Sequence, residues 1–548
     1  MNLKRIFTLF LSVVMIYLVV PETELRVSAS VAAGQTVICV SPTGSADGRG
    51  TEKSPLDIYT AVEQALPGQT IFLMGSTYSL NKPLVIARGI DGTAGQRITL
   101  MGDPENRPVL NAGVVLAADY WYLQGFDVTN TADGVTGVLV SGNNNTLDQI
   151  NTYGNGGTGI EICTYLPTDT KAEWPSGNLI LNCSSYGNAG SGNLADGFAA
   201  SLTVGDNNVF DGCIAHHNAD DGFDISAAVE TGPIGQVVIQ NSVAYKNGYL
   251  LNNTPAGSGR GFKLGSGRIS GYHILINSIA FDNKWAGISS GDVAEELYKA
   301  SDFPPEERIA AREARGMKMG AHDAIILNST AFNNERYNVQ LDPYGDDSNS
   351  VVNTDYSVTG FLSFRTEYTD VRDRTSPRGR QDITKFYNTT NYYWNESKSI
   401  SVNSVLNEVA AEWFESLTFS TITRNTDGTI NMNDFLELTA TAPSDTGARM
   451  SGTPSPVFQV EMPVDEEPKE PDIIFPSYTP TFDPSYTSYP PAPTYTTADT
   501  ENYTSKTGIT STVTITDGGV EVNAGINKSG SVNSEATAAA VKKAAQIA

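Results

Sequence analysis

Five residues pose the chemical question in this chain: Asp196, Asp220, Asp221, Asp224 and Lys263. They fall in short segments built around a glycine, DGFAA from Asp196, DGFDI from Asp221 and RGFKL from Arg260. Aligned on Gly197, Gly222 and Gly261, the next residue is Phe198, Phe223 or Phe262, and the one after it is Ala199, Asp224 or Lys263. Side chains alternate across a strand, so an inward phenylalanine sends Asp224 and Lys263 outward. If the segments are successive rungs of a parallel sheet, about 4.8 Å apart, a carboxylate and an ammonium stand side by side. The position before the glycine adds Asp196 and Asp221, and Asp220 precedes Asp221. A glycine lets the chain bend there, so strict alternation need not hold.

Carboxylates gathered in this way repel one another unless a cation neutralises them. An all-oxygen donor set suits a hard cation, and calcium tolerates irregular geometry. A lysine acts as a general base only when its pKa falls toward the working pH, and a neighbouring carboxylate opposes that fall. Calcium on Asp224 would cancel that opposition. A uronic acid fits the pair: a metal on its carboxylate acidifies the C5 proton, the neutral lysine removes the proton, and the bond to O4 breaks. Two plainer uses of the same residues remain open, a solvated acidic turn and a structural ion pair between Lys263 and Asp224.

The elements that must hold these residues are repeats, the sequence mark of a solenoid. A block beginning with an Asn-like residue and ending on another Asn six positions later runs from 149 to 155, 182 to 188, 212 to 218, 241 to 247, 277 to 283 and 328 to 334. The later copies read NSVAYKN, NSIAFDN and NSTAFNN, each after a short apolar run such as VVIQ, HILI or AIIL. A second block follows each: TGIEI, DGFAA, DGFDI, RGFKL, AGISS and YNVQL. The reading is one strand, an Asn-bearing turn and a second strand per coil, with the asparagines stacked. The outward column of the second strand then holds Glu161, Ala199, Asp224, Lys263, Ser289 and Gln340. The fold class expected is all-β: a right-handed parallel β-helix with a short N-terminal capping helix over 56–66 and a first coil beginning at 70–74. A further helix is expected within the insertion at 294–319 and another over 406–414. Residues 370–450 are expected to fold back along the solenoid or to cap its far end.

The flanks differ in composition. Lys4 and Arg5 followed by the apolar run from Ile6 to Val20, with small residues around Ser28 to Ser30, read as an export signal over 1–30; a membrane anchor is the alternative. The β-helix domain is placed at 31–450, a Pro/Thr/Tyr-rich extended linker at 451–500, and an unassigned tail, a candidate attachment to a cell surface, at 501–548. Cys39, Cys163, Cys183 and Cys213 contain no C-x-x-C pair. A Cys183–Cys213 disulfide and buried free thiols are both compatible with export. The formal charge of -26 argues against a nucleic-acid partner. It also requires local cations wherever a polyanion is to bind.

At these residues the sequence resembles polysaccharide lyase family 9, the pectate lyases and their relatives. The resemblance is carried by ADGFA from Ala195, NVFDGCIAHHNADDGFD from Asn208 to Asp224, NSVAYKNG from Asn241 and RGFKLGSG from Arg260, and it extends over about residues 40–450. It implies a right-handed parallel β-helix, a calcium site made by Asp196, Asp220, Asp221 and Asp224, and Lys263 as Brønsted base. The expected enzyme is a secreted, monomeric, calcium-dependent lyase on pectate or polygalacturonate, free of the membrane once the signal is removed. Arg260, Ser201 and the AGISSG segment from Ala286 depart from the patterns of pectate-active members and leave the polysaccharide open. Arg260 and Arg268 are the foremost candidates to bind substrate carboxylates, with Lys246 and Lys284 behind them; Trp285 and Tyr249 either stack on sugar or pack. Two rivals stand against the lyase. A hydrolase of similar architecture would leave Lys263 unexplained, and the His-Gly and Arg-Ile-Lys segments of polygalacturonases are absent. A non-catalytic polysaccharide-binding or adhesin solenoid has no need of a lone base beside a metal site.

Overall fold

The computed structural model describes residues 36–227, 231–265, 271–290, 323–341, 356–367, 373, 390–394, 398–400, 408–451, 499–504, 510–516 and 519–523. The signal, the insertion at 294–319, residues 406–407, Arg268 and nearly all of the linker lie outside these residues. The chain divides into Met1–Thr479 and Pro480–Ala548.

Among the described residues the first unit is a parallel β-helix whose coils each contribute one strand to three sheets. Sheet 1 has 11 strands from Val37–Val40 to Ser357–Thr359, sheet 2 has 10 from Thr77–Tyr78 to Leu362–Phe364, and sheet 3 has 9 from Leu84–Ile86 to Tyr337–Gln340. A complete coil reads Leu179–Leu181, Ser184–Tyr186, Phe198–Ser201. The sequence reading of two strands per coil was therefore one short. The Asn-bearing block is itself a strand between two bends, and its inward residue is small (Ser185, Ala215, Ala244, Ala280), which hides the apolar alternation that marks the other two.

The two asparagines of the block do different work. The first position takes a left-handed backbone in every copy: Gln149, Asn182, Gly212, Asn241, Asn277 and Asn328 have φ between 44 and 63°. Asparagine tolerates that conformation better than most residues do. The second forms a buried ladder at the bend from sheet 2 to sheet 3. The Nδ2 of Asn155, Asn188, Asn218, Asn247 and Asn283 each donates to the Oδ1 of the next, at 2.9–3.0 Å, and the ladder runs on through Asn334 to Asn338. A second, shorter ladder, Asn145 to Asn178 to Asn208, lines the bend from sheet 3 to sheet 1. The glycine after the ladder is needed for clearance. A Cβ at Gly197, Gly222 or Gly261 would stand 2.7–2.8 Å from the Nδ2 of a ladder asparagine.

The core is filled by inward Phe, Ile, Leu and Val from sheets 1 and 3 and by the small residues of sheet 2. Phe198, Phe223 and Phe262 stack at 4.8 and 4.9 Å. The capping helix is Ile58–Glu63, started by Asp57, which accepts from the backbone N–H of Tyr59 and Thr60. It is shorter than expected, and Val37–Val40, upstream of it, already pairs with Thr70–Leu73 as a rung of sheet 1.

Residues 408–451 fold back along the outside of sheet 2. Phe414, Ile430, Met432, Phe435 and Leu436 pack on Ile214, Val243, Tyr245, Phe281 and Leu362. The Arg424 guanidinium donates to the Cys183 and Gly212 carbonyls, 241 and 212 residues away in sequence. Within 408–414 the only helical turn is a 3₁₀ turn at Ala411–Trp413. All four cysteines are free thiols, so the Cys183–Cys213 disulfide does not form; burial pushes the Cys183 thiol up to about 12 and the Cys213 thiol well above its ordinary value. In the second unit, Asp499–Thr504, Thr510–Thr516 and Gly519–Asn523 form an antiparallel three-stranded meander in the stretch the sequence leaves unassigned.

Candidate active site

The register expected from the glycine alignment is the one observed. Phe223 pairs with Phe262 and Asp224 with Lys263 on adjacent rungs of sheet 3. Phe198 pairs with Phe223 on the rung below. The phenylalanines point inward and are fully buried, while Asp224 and Lys263 face out with side chains 18 % and 15 % exposed. Lys263 Nζ lies 2.8 Å from Asp224 Oδ2 and 3.6 Å from Asp221 Oδ2.

Beside this pair the residues before the glycines make a second column. Asp196 Oδ1 accepts from the backbone N–H of Asp221 at 2.9 Å, and Asp221 Oδ1 accepts from the backbone N–H of Arg260 at 2.7 Å. Each carboxylate is thus anchored to the rung above it. Asp196, Asp221 and Asp224 present oxygens that all lie within 4.8 Å of one another. Asp220, at the bend, stands outside these three, and its Oδ1 accepts from the Ser258 N–H.

The electrostatics follow from crowding in a dry place. Burial, then repulsion from Asp224, Asp220 and Asp221, holds the Asp196 carboxyl well above the usual carboxylate range. Burial also raises Asp220, against the pull of Lys263. Asp221 is raised to about 7, by burial first and Asp220 second, with Arg260 and Lys263 opposing. Burial works to lower Lys263, yet Asp224 and Asp221 outweigh it and the ammonium is held above its ordinary value. Crowding thus pushes Asp196, Asp220 and Asp221 toward neutrality and holds the lysine charged.

The donor set fits a divalent hard cation. The Asp224 Oδ1 atom is buried and accepts no hydrogen bond, and three carboxylates have oxygens close enough to share one ion.

The other candidates divide. Arg260 is 2 % exposed, its guanidinium 3.8 Å from Asp221 Oδ1 and 5.7 Å from the Trp285 ring, so it contributes charge to the floor of the site. Lys284 spends its ammonium on the Ala256 and Gly257 carbonyls. Lys246 is on the sheet 2 side of the coil, with its Nζ 5.8 Å from the Phe419 ring, and is no neighbour of the acidic cluster. Tyr249 bonds Glu335. A cavity of about 770 Å³ adjoins the cluster and is lined by Asp220, Ser258, Arg260, Lys284, Trp285 and Arg336, among others. Arg336 was not singled out in the sequence. Aligning the residue two positions after the ladder asparagines from Asn218 to Asn334, which gives Asp220, Tyr249, Trp285 and Arg336, is the signal that finds it.

Comparison with known proteins bears on this arrangement. The family described as "Pel9A-like, right handed beta helix region" matches residues 38–299. A pectate lyase L of Paenibacillus polymyxa (strain SC2) is 34 % identical over 75 % of this chain and 83 % of its own length. A pectate lyase L of Thermoclostridium stercorarium is 38 % identical over 60 % of this chain, which spans only 24 % of that longer protein. Among solved structures, pectate lyase Pel9A superposes with a TM-score of 0.53 at 24 % identity, over 75 % of this chain and 92 % of that one. A rhamnogalacturonan lyase gives 0.53 at 20 %, over 74 % and 97 %; both likenesses are of fold.

Proposed function

The chain belongs to polysaccharide lyase family 9, the pectate lyase-like parallel β-helices, and on that premise we propose that it is an exported, monomeric, calcium-dependent lyase cleaving pectate-like uronate polymers by β-elimination. The observation that carries the reading is the lysine on the rung above an acidic cluster, Nζ at 2.8 Å from Asp224. Asp196, Asp220, Asp221 and Asp224 would hold the ion. Bound calcium would supply neutralisation of these carboxylates and polarisation of a uronate carboxylate, acidifying the neighbouring C5–H.

The chain's own residues account for the rest. With its acidic neighbours neutralised, burial and Arg260 both favour the uncharged amine of Lys263. Lys263 Nζ takes the C5 proton, the electron pair forms the C4–C5 double bond, the C4–O4 bond breaks, and the departing oxygen takes a proton from solvent. The buried backbone N–H bonds on Asp196 and Asp221 keep the acidic side chains from turning away. Substrate binding by Arg260 is indirect in this reading, through the field it adds beside Asp221. A hydrolase would need a water-activating carboxylate pair and would leave Lys263 without work; a binding protein would tolerate its loss.

The test incubates the full chain with polygalacturonate at alkaline pH, with and without chelator, and follows the ultraviolet absorbance of unsaturated uronates. A rise that chelation abolishes is expected. No rise with polygalacturonate or other polyuronates sinks the lyase, and a rise indifferent to chelation sinks the ion.

A further inference from the structure

The bend that carries the asparagine ladder also builds the wall of the cavity, and the same coil register that sets Lys263 over Asp224 sets one arginine over an indole. Arg336 and Trp285 each lie two residues past a ladder asparagine, Asn334 and Asn283, and the Arg336 N–H donates to the Trp285 carbonyl at 3.1 Å. The Arg336 guanidinium carbon rests 4.0 Å from the centre of the indole. Arg260, on the coil below, lies 5.7 Å from the same ring, and the Trp285 N–H donates to the Gln340 side chain at 2.7 Å. The indole is therefore pinned by a hydrogen bond and occupied by guanidinium groups from adjacent coils, so sugar stacking is not its role.

The three cations around the cavity differ in what they have left to offer. Arg260 is buried against Asp221, and Lys284 is tied to two carbonyls. Arg336 is exposed, and no acidic oxygen among the described residues lies within 4.0 Å of it. A planar guanidinium held on an aromatic face keeps its N–H fork for a carboxylate and gives up little side-chain freedom on binding. It sits two rungs above Lys263 in coil order, about 10 Å along the axis. A carboxylate bound there belongs to a different sugar from the one whose proton Lys263 takes.

We propose that Arg336, carried on Trp285, is the carboxylate-reading residue of a neighbouring uronate subsite, and that it makes the enzyme prefer ionised over esterified polymer. This rests on the lyase reading above. Trp285 is then a positioning residue.

The experiment compares wild type with Arg336→Gln, Arg336→Lys and Trp285→Phe on polygalacturonate and on its methyl-esterified form, by steady-state kinetics and by thermal unfolding. For Arg336→Gln on polygalacturonate, KM is expected to rise about tenfold while kcat falls less than about threefold, the split that marks lost ground-state binding. The preference of wild type for ionised over esterified polymer is expected to shrink by a similar factor. Arg336→Lys should restore part of it, and Trp285→Phe should fall between wild type and Arg336→Gln. Unfolding temperatures should match. Arg336→Gln with unchanged KM and unchanged preference overturns the proposal. A uniform loss with a lowered unfolding temperature also overturns it, since that is what a structural residue would give. Absence of unsaturated product from wild type would instead be a failure of the lyase reading, so the two failures are told apart.

Discussion

Sheets 2 and 3 stack their outward side chains by the same rule, and the results are opposite. On sheet 2 the column Tyr153, Tyr186, His216, Tyr245, Phe281 is a pile of rings with centroids 4.7–5.2 Å apart. On sheet 3 the column reads Ala199, Asp224, Lys263, with Asp196 and Asp221 beside it. Parallel stacking multiplies whatever a column contains. Rings attract each other, and residues 408–451 pack over the pile at Tyr245 and Phe281. Carboxylates repel, so their face wants an ion, and the neighbouring bend, through Asp220, lines a cavity. One column stabilises the solenoid and the other stores electrostatic tension at the point where chemistry is proposed, a contrast that substitutions in each column should separate cleanly.

The largest effect should come from Lys263→Ala. Turnover on polygalacturonate is expected to fall by at least about 10³-fold, the upper range for loss of a general base. Substrate binding and calcium binding, measured by calorimetry, should persist. Turnover within tenfold of wild type would remove Lys263 from the mechanism and leave it a structural ion pair with Asp224.

The matching break in the other column is Phe281→Ala. Phe281 is fully buried, stacks on Tyr245 at 4.8 Å and meets Phe435 edge-on at 5.0 Å. Its truncation should cost about 3 kcal/mol in denaturant unfolding, as for other buried phenylalanines. The calcium dependence of the remaining activity should not move. If it does, the two columns are coupled through the coil and the contrast between them is false.

Asn218 belongs to both, because its ladder bends the chain from sheet 2 into sheet 3. Its Nδ2 donates to Asn247 Oδ1 and its Oδ1 accepts from Asn188. Asn218→Ala leaves buried donors and acceptors unpaired, so about 2 kcal/mol of stability should go. Asp220 and Asp221 follow it directly, so kcat should drop as well. Equal stability loss with untouched kinetics would mean that the acidic residues are held by their own backbone bonds alone.

What the sequence made legible follows the same physical line. The Gly-Phe-Asp and Gly-Phe-Lys pattern carries its own register, because a large inward residue and a glycine that must clear an asparagine can be aligned only one way. That pattern alone sets Asp196, Asp221, Asp224 and Lys263 side by side. The middle strand is not so marked, since its inward Ser185, Ala215 and Ala244 give no apolar signal. The sequence does not decide whether the covering segment folds back or caps, because contacts such as Arg424 with Cys183 span 241 residues and obey no local period. Arg336 carries no such signal, because it lies in the bend, two residues past Asn334, outside both aligned blocks.

The finest test of the contrast is pH, through the one residue of the aromatic column that the unfolded chain protonates under mild acid and the fold keeps neutral. His216 lies between Tyr186 and Tyr245 and touches His217, with Lys246 nearby. Burial first, then His217 and Lys246, lowers it to about 3, and burial and Lys246 lower His217 to about 4. A base whose folded pKa is depressed costs the fold nothing above its unfolded value, about 6.5, and destabilises it as pH falls below that, because the unfolded chain takes the proton first. Between pH 7 and 5.5 the loss from His216 should be about 1 kcal/mol, the work of keeping one imidazole neutral over that interval. His216→Phe keeps the stack and removes the charge, so its unfolding free energy should fall less than that of wild type over the same interval. The raised acids of sheet 3 titrate with the opposite sign in both proteins and drop out of the difference. Parallel pH profiles for the two proteins would show that the aromatic column admits a charge without cost, and would undo the claim that it is the dry counterpart of the acidic one.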